Sequence, residues 1–296
     1  VLPIFYATMP EAAAAGRAAG QAVQEAAGLS EGDVWSVFFL AIIQGLTEFL
    51  PVSSSGHLVL GKSVIGLETG GIALDVALHV GTLGAIVWAF RKDVLALLRD
   101  PFEGRYMSWV WLVVATLPVA IIGLVFKDSI TAAAGTAVAA GCGLLVTSVA
   151  LLVGEFSRRR FDAPASPPDE PPVFRMRDAV VMGFAQAAAI WPGVSRSGST
   201  ISAGLVRGLS AEDAARLSFL MSIPAISGAA IVELPGALEE GFGSLNGVVV
   251  LGAAVLAGLV GWSALRTLLL VLRKGSFPYF AAYCALLGTT ALILSW

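Results

Sequence analysis

The strongest constraint on this chain is where its charges are missing. Residues 106–126, 129–154, 241–265 and 275–296 contain no Asp, Glu, Lys, Arg or His. Each run exceeds the roughly 20 apolar residues that a helix needs to cross about 30 Å of hydrocarbon. In that medium backbone N–H and C=O groups must be satisfied within the segment, so the runs are expected as transmembrane helices rather than open strands. Only 13% of the residues are charged, against about 25% in an ordinary soluble domain. The net charge of -3 and pI near 5.4 supply no basic surface, so nucleic acid is excluded as a partner on electrostatic grounds. The seven Trp suit interfacial anchors. Cys142 and Cys284 lie inside apolar stretches and imply neither a disulfide nor a metal site.

Positive charge sorts the connections. Arg91, Lys92, Arg99 and Arg105 fall in one; Arg158, Arg159, Arg160, Arg175 and Arg177 in a second; Arg207 and Arg216 in a third; Arg273 and Lys274 in a fourth. All four are expected on the cytoplasmic side, with 127–131 and 233–246 outside. Threading the chain through these assignments gives six spanning helices, near 72–90, 107–126, 132–154, 217–234, 247–272 and 278–296. Two segments are then left that must return to the side they entered from, 34–66 and 178–207. Each has too short an apolar stretch before a Pro/Gly/Ser-rich break, the pattern of a re-entrant helical hairpin.

Those two segments repeat one another. Gln44 followed by Val52-Ser53-Ser54-Ser55-Gly56 matches Gln186 followed by Val194-Ser195-Arg196-Ser197-Gly198, with an offset of 142 residues throughout (44 to 186, 52 to 194, 56 to 198). Each repeat is one hairpin plus three spans. An odd number of spans inverts the second copy, so the fold expected is an all-α integral membrane protein with an inverted repeat, its hairpin tips meeting near the midplane. As domains, this gives an N-terminal extension over 1–33, read as a surface helix or a disordered tail, and one membrane domain over 34–296. The latter divides into repeat 1 (about 34–155), a Pro-rich cytoplasmic linker (about 156–177) and repeat 2 (about 178–296).

The breaks carry the chemistry. Gln44 and Glu48 are four apart and share a helix face; a carboxylate there either binds a hard divalent cation or accepts a proton. Pro51 stops that helix, and the serines after it offer hydroxyls and free N–H groups at a helix start, the ingredients of a phosphate cradle. Arg196 is the single Lys or Arg between Asp178 and Arg207, an intramembrane charge of the kind that marks function and a planar fork suited to phosphate oxygens. Bland readings stand beside these. Glu48 and Arg196 also read as no more than an ion pair joining the repeats, and His57 as a donor to a carbonyl. Asp75 and His79, four apart, read as supporting residues rather than catalytic ones.

With Gln44-x-x-x-Glu48, Leu50-Pro51-Val52-Ser53-Ser54-Ser55-Gly56-His57 and Pro192-Gly193-Val194-Ser195-Arg196-Ser197-Gly198-x-Thr200, the chain resembles the bacterial undecaprenyl-diphosphate phosphatase family of the bacitracin-resistance type, from about residue 35 onward. The resemblance implies hydrolysis of undecaprenyl diphosphate to the monophosphate in the plasma membrane, recycling the carrier for cell-wall synthesis, with the site open to the outer face. It implies Glu48, Ser54, His57 and Arg196 as catalytic residues, with Ser54 as nucleophile. Ser53, Ser55, Gly56, Ser195, Ser197, Gly198 and Thr200 are expected around the diphosphate, and Gln44 and Glu48 at a divalent cation, Mg²⁺ or Ca²⁺. Gln at 44 leaves one carboxylate fewer than the family's acidic motif allows. A phosphohistidine on His57 and direct attack by water are alternatives to the serine. The partners expected are the polyprenyl lipid, the bilayer and a second copy in a homodimer. The rival readings are an inverted-repeat transporter or lipid-phosphate flippase, which would bind without bond cleavage, and a purely structural scaffold.

Overall fold

A computed structural model describes residues 31–65, 71–127, 129–130, 136–161, 163–167, 175–241, 245–272 and 275–295. Residues 1–30 of the expected extension and 168–174 of the expected linker lie outside the described residues. Every described element is helical: α1 (Glu31–Phe49), α2 (Ser54–Ile65), α3 (Gly71–Ala89), α4 (Arg91–Arg99), a 3₁₀ turn (Asp100–Glu103), α5 (Met107–Val125), α6 (Ala137–Phe161), α7 (Met176–Ala188), α8 (Arg196–Val206), α9 (Ala211–Glu240), α10 (Gly247–Leu272) and α11 (Phe277–Leu294).

Six of these, α3, α5, α6, α9, α10 and α11, are long and apolar enough to cross a membrane, in the six places the charge-free runs and loop charges indicate. Two differ in extent from the expectation. Helix α6 continues to Phe161 rather than 154 because Glu155 receives Arg158 and Arg159 at 2.8 and 2.7 Å, pairs three and four residues apart that carry a helix past its apolar part. Helix α9 starts at Ala211 rather than 217 because Ser210 caps it, accepting from Asp213 N at 3.1 Å. At its other end α9 runs to Glu240, so Glu233 sits in a helix and not in a connection. The connection around Arg91–Arg99 also holds a helix, α4, with basic residues at both ends.

In lipid the hydrophobic effect does little to join helices, and close backbone approach does more. The α6–α11 crossing shows how. A Cβ added at Gly141 would lie 3.0 Å from Gly288 O, and one at Gly288 would lie 2.8 Å from Gly141 O. The short helices pack on distant parts of the chain: α1 on α10, and α7 on α5, while α3 and α9 pack together. The chain end carrying the basic connections is gathered by ion pairs. Arg216 pairs with Asp93 and Arg207 with Asp178, and the Arg158 guanidinium lies beside Gly275.

Candidate active site

Helix α1 ends at Phe49, and beyond it Val52 N donates to Leu50 O at 2.7 Å in a tight turn through Pro51. Ser53 then takes φ 70°, the one non-glycine among the described residues with positive φ. Helix α2 starts at the next residue, with Ser53 Oγ accepting from Gly56 N at 3.3 Å. This turn folds Ser54 back over the last turn of α1, where its hydroxyl donates to Glu48 Oε2 at 2.6 Å. Gln44 Nε2 donates to the same oxygen at 3.1 Å.

The second break is turned by Gly193, with φ 84°. No other residue fits there, because a Cβ would lie 2.0 Å from Ala140 O on α6. Thr147 of α6 fixes the turn from below: its Oγ1 donates to Gly193 O at 3.0 Å and accepts from Ser195 N at 2.8 Å. Ser195 then caps α8, accepting from Gly198 N at 3.0 Å. The two breaks touch directly. Ser197 Oγ donates to Leu50 O at 3.2 Å and Gly193 N to Ser55 Oγ at 3.4 Å. Arg196 Nη2 thereby reaches Glu48 Oε1 in a short ion pair. The Glu48 side chain is 6% exposed, so this is a buried pair whose Coulomb attraction must offset the desolvation of both groups.

Above the pair is a cavity of about 260 Å³. Thr47, Glu48, Ser53, Ser54 and Ser55 line it from the first break, and Val194, Ser195 and Arg196 from the second. Arg196 Nη1 is buried there without a partner, an unused donor beside hydroxyls and two helix N-termini. An unpaired buried donor of this kind is costly unless a ligand takes it up, and a tetrahedral oxyanion matches the set.

Of the residues singled out from the sequence, Glu48, Ser53, Ser54, Ser55, Ser195 and Arg196 line the cavity together, and the Glu48–Arg196 ion pair, one of the two readings given, is present. Gly56, Ser197, Gly198 and Thr200 are brought close without lining the cavity. The first three build the tips themselves, and Thr200 is buried in a 2.6 Å bond to Ser218 of α9. His57 does not line it either. Its Nδ1 lies 2.7 Å from Ser53 O, the carbonyl contact of the bland reading. Four residues that were read otherwise or not singled out prove to belong here. His79, expected to be supporting, lines the cavity with Nε2 3.8 Å from Glu48 Oε2. Glu233 and Gln186 line it too; the first was placed in an outward connection and the second served only to mark the repeat. Thr147, hidden as an uncharged hydroxyl in an apolar run, left no signal.

The divalent cation can be tested against these groups. Gln44 Oε1 is buried and unpartnered, and Glu48 lies one turn away, so two oxygens are at hand. Glu48 is already matched by Arg196, and no cluster of three His, Cys, Asp or Glu suited to a metal occurs among the described residues. Gln44 is fully buried and does not line the cavity, so Glu48, already matched by Arg196, is the group through which the protein would hold such an ion, with phosphate oxygens and water supplying its other ligands.

A multi-pass helical membrane protein with a buried acid, a serine on that acid and an unpartnered arginine nitrogen beside a polar cavity has groups suited to binding an anion. Comparison with known proteins specifies it further. Residues 37–290 match the family described as bacitracin resistance protein BacA, and the chain belongs to that family. The undecaprenyl-diphosphatase of Halothermothrix orenii is 40% identical over 263 residues, covering 89% of this chain and 98% of the relative. Those of Carboxydothermus hydrogenoformans and Methanosphaera stadtmanae are 38% and 35% identical, with 88% and 89% of this chain covered and 97% and 98% of the relatives.

Proposed function

We propose that this chain hydrolyses undecaprenyl diphosphate to undecaprenyl phosphate and phosphate. The observation that carries the reading is the 2.6 Å hydrogen bond from Ser54 Oγ to Glu48 Oε2, a nucleophile already seated on its base. The diphosphate enters the cavity and its terminal phosphoryl oxygens take up Arg196 Nη1 and the N–H groups at the starts of α2 and α8. Ser54 Oγ attacks the terminal phosphorus, its proton passes to Glu48, and the bridging P–O bond breaks to release undecaprenyl phosphate. Glu48 passes that proton to the departing undecaprenyl phosphate and, ionised again, takes a proton from the water that cleaves the seryl phosphate, returning it to Ser54 Oγ as phosphate leaves. Substrate also changes the base. As Arg196 turns from Glu48 toward phosphate, the carboxylate loses part of its counter-charge and becomes a better proton acceptor. A divalent cation, when bound, would be held on the protein side by Glu48, with Gln44 one turn behind it, and would supply neutralisation of phosphate charge.

The same reading includes topology. The α1–α2 and α7–α8 pairs are taken as re-entrant hairpins of an inverted repeat. Helices α2, α7 and α8 have 12, 13 and 11 residues, about half of what a span requires at 1.5 Å per residue, while α1 has 19, with its apolar part over Val34–Phe49. Inversion also exchanges the contacts: α1 of one repeat packs on α10 of the other, and α7 on α5. The cavity reaches Glu233, on the part of α9 remote from the arginine-rich end, so it is assigned to the outer face. Phosphate release from detergent-solubilised undecaprenyl diphosphate tests the function. Release by the wild type and not by Ser54→Ala is expected; saturable binding without release would favour the transporter reading instead.

A further inference from the structure

His57 has both ring nitrogens engaged, and neither faces the cavity. Ser53 O can only accept, so Nδ1, at 2.7 Å, carries the proton. Nε2 is then the acceptor of the neutral ring, and Tyr283 of α11 donates its hydroxyl to it at 2.7 Å. The two rings stack, with centroids 5.6 Å apart and planes at 9°. A histidine held in this way has no lone pair aimed at phosphorus. What it holds is Ser53, whose left-handed backbone costs a non-glycine residue of order 1 kcal/mol or more. The Ser53 carbonyl takes a second bond from His57 N at 3.2 Å. The residue following this strained turn is Ser54. At the other tip Ser195, which matches Ser53, has φ -69° and needs no such support, and the position matching His57 is Ser199. The clamp therefore occurs only at the tip that presents the hydroxyl to Glu48.

Resting on the phosphatase reading, we infer that Tyr283 is a positioning residue for hydrolysis: it locks His57 in the Nδ1–H form, and His57 in turn holds the Ser53 turn that aims Ser54 at Glu48 and the substrate. Tyr283 thus ties the last helix of the chain to the nucleophile without touching the reacting atoms.

The test is phosphate release from undecaprenyl diphosphate by wild type, Tyr283→Phe, His57→Asn, His57→Ala and the double variants, with kcat and KM measured separately. Phe keeps the stacked ring and removes one hydrogen bond, so kcat is expected to fall about tenfold at unchanged KM. Asn places a side-chain N–H where Nδ1 stands but can be neither nucleophile nor base. His57→Asn is therefore expected to retain at least tenfold more activity than His57→Ala. Tyr283→Phe should be silent in either His57 background, because its effect passes through the ring. A His57→Asn enzyme as inactive as His57→Ala, a Tyr283→Phe effect that persists without His57, or one confined to KM would each overturn the inference. If the wild type releases no phosphate, the phosphatase reading fails and the inference fails with it, whereas an active wild type with any of those results removes the clamp alone.

Discussion

Replacing Glu48 by Gln alters one atom and tests the proposed base directly. In the native site Oε1 faces the Arg196 guanidinium, and Oε2 accepts from Ser54 and Gln44 at 2.6 and 3.1 Å. An amide must choose. With its NH₂ toward Arg196 two donors would oppose each other, so the oxygen will stay on the arginine and the NH₂ will turn to Ser54. The Ser54 hydroxyl then accepts a hydrogen bond where it had donated one, and its proton has no acceptor. General-base catalysis contributes typically 10²–10⁴-fold, so kcat is expected to fall by about 10³, or about 4 kcal/mol of transition-state stabilisation. Arg196 is meanwhile freed from its anion, so KM should stay level or drop. A competing effect is stability, because breaking a buried pair by removing one partner's charge costs about 3–5 kcal/mol. The retained amide oxygen softens this, and a lowered melting temperature in detergent is expected alongside intact folding. The assay is steady-state phosphate release with substrate varied, beside thermal unfolding by Trp fluorescence. A folded Glu48→Gln enzyme with kcat within threefold of wild type would refute the base assignment, and one that loses only KM would make Glu48 a binding group.

The other outcomes follow from neighbouring contacts. Ser54→Ala removes a nucleophile and no charge, so undecaprenyl diphosphate binding should persist while turnover drops by at least about 10³; near-normal turnover would pass the role to water or to His57. Gln44→Glu adds an anionic oxygen beside Glu48 and should lower the half-saturating concentration of divalent cation several-fold, and an unchanged titration would place Gln44 away from the ion. Gly193→Ala would drive a Cβ to 2.0 Å from Ala140 O at φ 84°, and a loss of folded protein is expected in detergent size-exclusion chromatography. Single cysteines at 163–167 should resist an impermeant thiol reagent applied to intact cells, and ready labelling there would overturn the threading.

Much of this molecule was legible before any coordinates because membrane folds punish misplaced charge. Apolar runs placed six helices, and arginines marked the connections that ion pairs now gather at one end. Helix ends were less legible because they depend on local bonds that hydropathy does not register, such as the Glu155 pairs and the Ser210 cap. The site divided in the same way. Glu48 and Arg196 stood out as charges beside apolar runs, whereas Thr147, bonded to Gly193 and Ser195, and Tyr283, bonded to His57, look like ordinary residues of apolar helices. Glu233 was misplaced because a carboxylate near the end of a span resembles a loop residue. His79, which also lines the cavity, comes within 3.8 Å of Glu48 through the packing of α3 beside the first break, a proximity that sequence spacing does not register.

The two tips show how a repeated motif acquires unlike halves. Ser53 Oγ lies 3.2 Å from Ser55 Oγ, and Ser195 Oγ lies 3.2 Å from Ser197 Oγ. Ser53 and Ser195 each accept from the glycine N–H three residues on, and Gln44 and Gln186 are both buried with an unpartnered Oε1. These side-chain bonds are repeated, while the left-handed residue differs: Ser53 in the first tip and Gly193, the counterpart of Pro51, in the second, where Ser195 has φ -69°. The chemistry separates at the offset of 142, where Ser54 corresponds to Arg196. On the proposed mechanism, one tip places the nucleophile at the first residue of its helix, and the other places at the same station the guanidinium for the phosphoryl group under attack. A symmetric pair of serines would offer two nucleophiles with nothing to gather the phosphate charge, and a pair of arginines would leave Glu48 facing two cations with no hydroxyl to activate. Because the tips meet head to head, a single substitution between equivalent positions suffices to set attacker and clamp on opposite sides of one cavity.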